Sequence, residues 1–410
     1  MIECLAVTKR NRIRLATVLT ANADLKFRSG LTTALDTNFH QLANALFIQD
    51  DEGVVLHDLT FNVVRQKHTG VIAASGVGLV SPNPLVGCVI VNDDRIVSEG
   101  YHERYGGPHA EVNALRAAGS KAHGATLYVT LEPCCHTGKT PPCADAVLQA
   151  GVSRVVMALG DPNPKVAGGG LARLRDAGVE VTVGVCEAEA RRLNESFLHY
   201  IRTQRPFVTL KCAVTLDGKI ATRTGTSRWI TGGPARERVH YMRHAADALL
   251  VGVGTALQDD PQLTTRLPGG GGIHPLRIVV DSRLRLPVSS QLAVVAPDCR
   301  TLIATSEWAS TEKQRQLEDQ GVEILRLPSY ADGRVDIEAL LATLGARGVA
   351  DLLVEGGATL SATLLQRRLI DKLTVFIAPK IIGGDGINVV AAFGAETMAD
   401  ALQLYSMTSH

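Results

Sequence analysis

The chain has 410 residues, 45% of them hydrophobic and 20% charged, with a formal net charge of +1. That length exceeds one ordinary core and predicts two domains. The near-neutral balance supplies no long-range field to gather a polyanion, which argues against nucleic acid or a membrane surface as partner. The absence of an apolar run of about 18 residues argues against a transmembrane helix. The basic run Lys9–Arg14 with Leu15–Leu19 is too short and polar for a signal segment. Eight cysteines in so large a chain suit free thiols, some of them metal ligands, in a reducing cytoplasm.

Residues 1–75 stay unassigned, because pieces such as Leu42–Ile48 and Gly53–Leu56 carry no sustained period. From Ser81 the pattern sharpens. Gly87–Asn92 reads as a buried strand ending in an Asn-Asp-Asp turn, and Pro108–Gly119 as a helix with Val112, Leu115 and Ala118 inward. Thr126–Leu131 reads as a strand, Pro142–Ala150 as a helix, Arg154–Leu159 as a strand and Arg191–Thr203 as a helix. This alternation predicts an α/β layer with a largely parallel sheet, placing one domain at 76–203.

A second domain, 204–410, restarts the alternation. Its strands are expected at Phe207–Leu216, Ala248–Val251, Leu276–Asp281, Thr301–Thr305, Val322–Leu327, Asp351–Val354 and Lys372–Ile377. Its helices are expected near Pro234–Ala246, Thr311–Gln320, Ile337–Leu344 and Thr359–Arg367. The glycine-rich stretch Pro268–Pro275 reads as a flexible loop.

Two clusters carry chemistry. Pro108-His109-Ala110-Glu111 and Pro133-Cys134-Cys135 with Cys143 offer one imidazole and two thiolates, the donor count of a catalytic zinc with one position open. A glutamate beside the metal can take a proton from water and pass it to a departing amine. Residues two apart on a regular helix do not face each other, so His109 must stand at the very start of its helix to converge with Glu111. Cys135 competes as a ligand, and a closed structural site could recruit His102, Cys135 or His136. In the second half, Glu355-Gly356-Gly357 ends an apolar strand and opens a helix, a cradle suited to phosphate. Gly252-Val253-Gly254-Thr255 also follows a strand, but Ala256 and Leu257 fail the dinucleotide fingerprint. Lys211 inside an apolar strand calls for an ion pair or a function.

The words SPNPLVGCVIV (81–91), GYHERYGGPHAEVNAL (100–115), VTLEPCCHTGKTPPCADA (129–146) and GDPNPKVAGGG (160–170) resemble the bifunctional deaminase/reductase family of riboflavin biosynthesis. So do RPFVTLKCAVTLDGKIA (205–221), SRWITG (227–232), DDPQLTTR (259–266), LLVEGGATL (352–360) and IAPKIIGG (377–384). The resemblance implies a cytidine-deaminase-like domain followed by a dihydrofolate-reductase-like domain, with zinc and NADPH as cofactors. It implies zinc on His109, Cys134 and Cys143, a proton shuttle at Glu111, and a pyrimidine pocket shaped by Asn83 and the loop after it. It implies cofactor contacts at Ala213, Trp229, Thr255, Asp259 and Gly357, Ala358, Thr359 and Leu360. Substrate contacts would be Ser227, Arg243, Leu263, Arg266 and Glu355, with Arg243 and Arg266 gripping a phosphate and Asp259 assisting ring opening.

The expected partners are a phosphorylated pyrimidine and further copies of the chain, with no nucleic acid and no membrane. Two departures stand out. The family opens its deaminase domain with a helix, of which only Ala73–Val80 suggests the end here. It also continues into a last strand where this chain reaches Ser409-His410. Alternatives are that one half alone is active, or that the chain is a zinc- and nucleotide-binding scaffold. Glu111 speaks against the scaffold, which needs no proton shuttle.

Overall fold

The computed structural model describes residues 2–7, 16–19, 55–164, 166–392, 394–405 and 408–409. Lys9–Arg14 and Leu42–Ile48 lie outside these residues.

Two sheets organise the chain. The first has five strands in the order Arg95–Tyr101, Gly87–Asn92, Thr126–Val129, Arg154–Met157 and Glu180–Val183. Its first three strands pair antiparallel and its last three parallel, so it is mixed rather than largely parallel. The polar edge strands Arg95–Tyr101 and Glu180–Val183, half exposed, are additions to the sequence reading.

The deaminase-side helix expected to be lost is present. Val55–Ala73 lies across this sheet and buries Asn62, Gln66, Thr69 and Ala73. Tyr128 donates its hydroxyl to Asn62 Oδ1 at 2.7 Å, and Gln66 donates to the Val129 carbonyl at 2.7 Å. The approach is close: a Cβ on Gly87 would stand 2.2 Å from the Thr69 carbonyl oxygen.

The helix read at Arg191–Thr203 is two helices, Glu187–Leu193 and Glu195–Thr203. They break at Asn194 because its buried amide turns away to bond both backbone groups of Leu85, at 2.8 and 2.9 Å. Helix Ala110–Ala118 is shorter than Pro108–Gly119 and buries Ala110, Glu111, Ala114 and Ala118, leaving Val112 and Leu115 half-buried.

The second sheet is larger. Its parallel run is Glu323–Leu327, Thr301–Ser306, Leu276–Val280, Ala248–Gly252, Asp351–Val354, Phe207–Thr215 and Lys372–Ala378. These strands read as continuous apolar runs because helices cover both faces, and Val208, Leu250, Ile278, Leu302 and Leu352 are wholly buried. Each such side chain contributes about 1.5–3 kcal/mol of burial. Ile2–Val7 pairs antiparallel with Lys372–Ala378, and Thr408–Ser409 pairs with Ile2–Val7. Strand order brings the ends of Ala248–Gly252 and Asp351–Val354 side by side, each followed by a helix: Val253–Asp259 and Ala358–Gln366.

Among the described residues no helix is long and apolar enough to cross a membrane.

Candidate metal centre and reductase cleft

His109 is the N-cap of helix Ala110–Ala118, with an extended backbone at φ −75° and ψ 165°. That places its ring outside the helical spiral and lets it converge with Glu111 in the first turn. Cys143 opens the helix Cys143–Gln149 and Cys134 lies in the loop before it. The donor atoms of His109, Cys134 and Cys143 all lie within 4.8 Å of one another, the one such cluster among the described residues.

His109 Nδ1 stands 3.2 Å from Cys143 Sγ and 3.6 Å from Cys134 Sγ. Tetrahedral zinc with ordinary Zn–N and Zn–S bonds separates such atoms by about 3.5 Å, close to both distances, so the donor set fits the ion. The Cys143 N–H donates to Cys134 Sγ at 3.3 Å, and Thr140 Oγ1 lies 3.5 Å from His109 Nε2.

The electrostatics are those of a site built around a cation. Glu111 is buried, and its Oε2 has no hydrogen-bond partner among the described residues. Burial pushes its carboxyl up to about 7, against the pull of His109. Hydrogen bonding from the Cys143 thiol holds Cys134 down at about 4, while the same bond and burial drive Cys143 upward. The bond to Cys134 raises His109.

The competing ligands point elsewhere. Cys135 Sγ faces the Val166 carbonyl at 3.9 Å. His102 bonds the Pro108 carbonyl through Nδ1 at 3.0 Å and Asn83 through Nε2 at 3.2 Å, with its ring edge-on to His109 at 5.3 Å. His136 is not part of the cluster. Asn83 thus reaches the metal centre through His102.

Two residues behind the site escaped the sequence reading. Glu132, buried, accepts backbone N–H groups of Asp161, Gly168 and Leu171 at 3.2, 3.1 and 3.0 Å. It ties the 161–171 loop to the strand end that carries Cys134. A Cβ on Gly170 would fall 1.9 Å from the Pro133 carbonyl oxygen, so only glycine allows that packing. The signal available was an acid immediately before Pro133-Cys134, at the end of an apolar strand.

In the second half, Glu355 ends strand Asp351–Val354 and is gripped by Arg243, Nε to Oε1 at 2.6 Å and Nη2 to Oε2 at 3.0 Å. Lys211 Nζ adds a contact at 3.6 Å, the ion pair its apolar strand required. Burial alone would raise the Glu355 carboxyl, but Arg243 and Lys211 outweigh it and hold it at about 2. The fork of Arg243 is therefore committed to Glu355, and its Nη1 donates to the Thr264 carbonyl at 3.0 Å. A phosphate grip by Arg243, expected from the sequence, would compete with Glu355 for that fork. Arg266 is exposed, its Nη1 on Thr264 Oγ1 at 2.7 Å and Gln262 Oε1 at 3.1 Å. Leu263 is buried beside it at φ 54°.

Gly357 caps helix Ala358–Gln366 without a side-chain bond, leaving first-turn N–H groups of Ala358, Thr359 and Leu360 for an anion. A Cβ on Gly357 would stand 3.1 Å from Thr255 Oγ1, so this glycine keeps the two turns together. Ala213 pairs in register with Phe376 in the same sheet. Trp229 is 63% exposed, with the Arg236 guanidinium 4.6 Å over its ring. Ser227 is half-buried, and Asp259 is joined to the Trp229 segment through its carbonyl, which accepts from Arg228 at 3.0 Å. The cradle, open glycine turns beside Thr255, fits a dinucleotide phosphate.

Comparison with known proteins agrees with both halves. The cytidine and deoxycytidylate deaminase zinc-binding region matches residues 71–159, and the RibD C-terminal domain matches residues 206–408. The chain is 47% identical over 313 residues to riboflavin biosynthesis protein RibD of Actinobacillus pleuropneumoniae, covering 76% of this chain and 82% of that one. It is 44% identical over 346 residues to RibD of Escherichia coli, covering 81% and 91%. Among solved structures, Acinetobacter baumannii RibD superposes with a TM-score of 0.74 at 40% identity, covering 83% and 93%. A deaminase/reductase from Thermotoga maritima superposes at 0.73 with 38% identity, covering 84% and 93%. With its deaminase zinc region and reductase domain in one chain, this protein belongs to the RibD family of bifunctional riboflavin-biosynthesis enzymes.

Proposed function

We propose that His109, Cys134 and Cys143 hold the zinc of the deaminase half and that Glu111 moves the proton. The chain is a zinc-dependent deaminase and an NADPH-dependent reductase of riboflavin biosynthesis. The Thermotoga relative is described as a diaminohydroxyphosphoribosylaminopyrimidine deaminase and 5-amino-6-(5-phosphoribosylamino)uracil reductase. We assign the same consecutive substrates here: hydrolytic loss of an amine as ammonia, then reduction of the ribosyl side chain to ribityl. Zinc supplies the Lewis acidity that makes water a nucleophile near neutral pH.

The observation that carries the reading is the buried, unpartnered Oε2 of Glu111 beside the ligand set. A buried carboxylate with that oxygen free can take the water proton and return it to the leaving amine. His102 orients Asn83, which we assign to the pyrimidine. In the reductase half, NADPH supplies the reducing equivalent and the protein positions it. We place its phosphates on Gly357, Ala358, Thr359 and Leu360, and the rest of the cofactor along Thr255, Asp259, Ala213 and Trp229. Ser227, Leu263, Arg266 and Glu355 face the substrate in this reading. Arg243 acts through Glu355, leaving Arg266 for the phosphate.

We divide the halves near residue 203, with Val55–Ala73 counted in the deaminase unit. Free thiols at the seven cysteines from Cys88 to Cys299 support a reducing cytoplasm, and we expect a homo-oligomer without nucleic acid.

Glu111→Gln tests the assignment. It should retain zinc and oxidise NADPH with deaminated substrate, while ammonia release falls by roughly 10²–10⁴-fold. Ammonia release that survives the substitution contradicts it.

A further inference from the structure

Three histidines of the reductase half hold one loop in the same way. The loop runs from Leu263 to His274 through four glycines, Gly269 to Gly272, all at positive φ between 72° and 96°. Such a stretch has little conformational preference of its own. Its shape is set by three imidazole acceptors, two on the neighbouring helix and one at the loop's own end. Arg266 donates its backbone N–H to His240 Nδ1 at 3.2 Å, Thr265 to His274 Nδ1 at 3.2 Å, and Ile273 to His244 Nδ1 at 3.1 Å.

His240 and His244 stand one turn apart on helix Gly233–Ala245, so one helix face meets both ends of the glycine run. Arg243 lies between them and donates to the Thr264 carbonyl at 3.0 Å while its fork stays on Glu355. His244 also carries the deaminase half: a Cβ on Gly78 would lie 2.5 Å from its carbonyl oxygen and 3.0 Å from its ring.

We propose that His240 is a positioning residue for the reductase substrate, fixing the backbone of Arg266 through an unprotonated Nδ1, with His274 and His244 pinning the rest of the loop. The proposal rests on the reading of Arg266 as a phosphate contact.

Only a bare imidazole nitrogen can accept a backbone N–H, so the clasp exists only while His240 is neutral. Burial lowers its basicity, and the facing guanidiniums of Arg243 on its own helix and Arg266 on the loop lower it further. Glu355 at the strand end and the Thr264 carbonyl oppose them. Protonation replaces an acceptor by a second donor aimed at the Arg266 N–H. The loop should then release Arg266, and affinity for the phosphorylated substrate should fall, with hydride delivery at saturation little changed.

The test compares His240→Asn with His240→Leu in the full chain. Asn Oδ1 can replace Nδ1 as acceptor and does not titrate. Above neutral pH, His240→Asn should keep a reductase KM close to that of the parent, while His240→Leu should raise KM about tenfold, the loss of one well-placed hydrogen bond, at nearly constant kcat. Ammonia release and zinc content in the same chains report that the rest of the protein is intact. On acidification the ratio of parent KM to His240→Asn KM should rise. The ratio cancels the titration of the substrate phosphate itself, and it remains the test if His240→Leu does not fold. A ratio independent of pH, or an unchanged KM in folded His240→Leu, overturns the proposal. Arg266→Ala separates the two layers. If it leaves KM unchanged, the reading of Arg266 fails. If it raises KM while His240→Leu does not, the clasp alone fails.

Discussion

Ser81 of the deaminase half donates its hydroxyl to Asp247 Oδ2 of the reductase half at 2.7 Å. Asp247 in turn accepts the backbone N–H groups of Ala350 and Asp351 at 2.7 and 2.9 Å, at the start of the strand that ends before Glu355. Two residues after Ser81, Asn83 touches His102 beside the metal centre, and Leu85 is held by Asn194. The loop that we assign to the deaminase pocket is therefore tethered to the reductase sheet. Ser81→Ala should remove one hydrogen bond of about 1 kcal/mol and raise the deaminase KM roughly fivefold, with zinc content unchanged. Steady-state ammonia release measures it, and an unchanged KM would show that the tether does not reach the pocket.

Asp351 sits at the same junction. Burial and the neighbouring Asp247 push its carboxyl up to about 7, although Ser196 donates to it. A carboxyl raised on folding stabilises the folded chain through its protonated form. That contribution is full below its ordinary carboxylate range and is lost as pH rises through about 7. Asp351→Asn, which keeps an acceptor for Ser196, should raise Tm most above neutral pH, with the gain shrinking through mild acid and vanishing below the ordinary carboxylate range. Thermal unfolding across that window reads it. A gain independent of pH is the contrary outcome.

Gly170 packs where no side chain can go, against the carbonyl of Pro133 next to Cys134, which we assign to the zinc. Gly170→Ala should displace that ligand loop and weaken zinc binding by roughly 10–100-fold, the usual cost of disturbing groups behind a metal. Competition against a chromophoric chelator gives the affinity. Parent-like binding would mean that the loop yields without moving Cys134.

Glu355→Gln leaves Arg243 and Lys211 buried beside a neutral amide. Breaking a buried pair from one side costs about 3–5 kcal/mol. Calorimetry should show the reductase half unfolding earlier, while ammonia release persists. Simultaneous loss of ammonia release would show that the halves do not unfold separately.

The parallel strands of the second half were legible because both faces are covered, giving apolar runs such as Leu352–Val354 between turn signals. The metal cluster was legible because His109, Glu111, Cys134 and Cys143 are chemically distinctive, and the spacing already required His109 to start its helix. Helix Val55–Ala73 was not, because the buried stripe among its described side chains is Asn62, Gln66, Thr69 and Ala73. Those residues are held by hydrogen bonds and a close backbone approach to Gly87, so among the described side chains, 62–73, no apolar period marks the buried face. The edge strand Arg95–Tyr101 was hidden for a related reason, its start being exposed. The pairing of Arg243 was not legible, because a sequence cannot show that Glu355, 112 positions away, occupies its fork.

The central claim is that one chain carries out zinc-dependent deamination and then NADPH-dependent reduction. It is tested most directly by giving purified protein the diaminohydroxyphosphoribosylaminopyrimidine substrate and recording ammonia and NADPH absorbance together. The account predicts stoichiometric ammonia without NADPH, no ammonia after zinc is removed, and NADPH oxidation only once deaminated product has formed. NADPH oxidation that precedes ammonia release, or ammonia release that persists in the zinc-free chain, would contradict it.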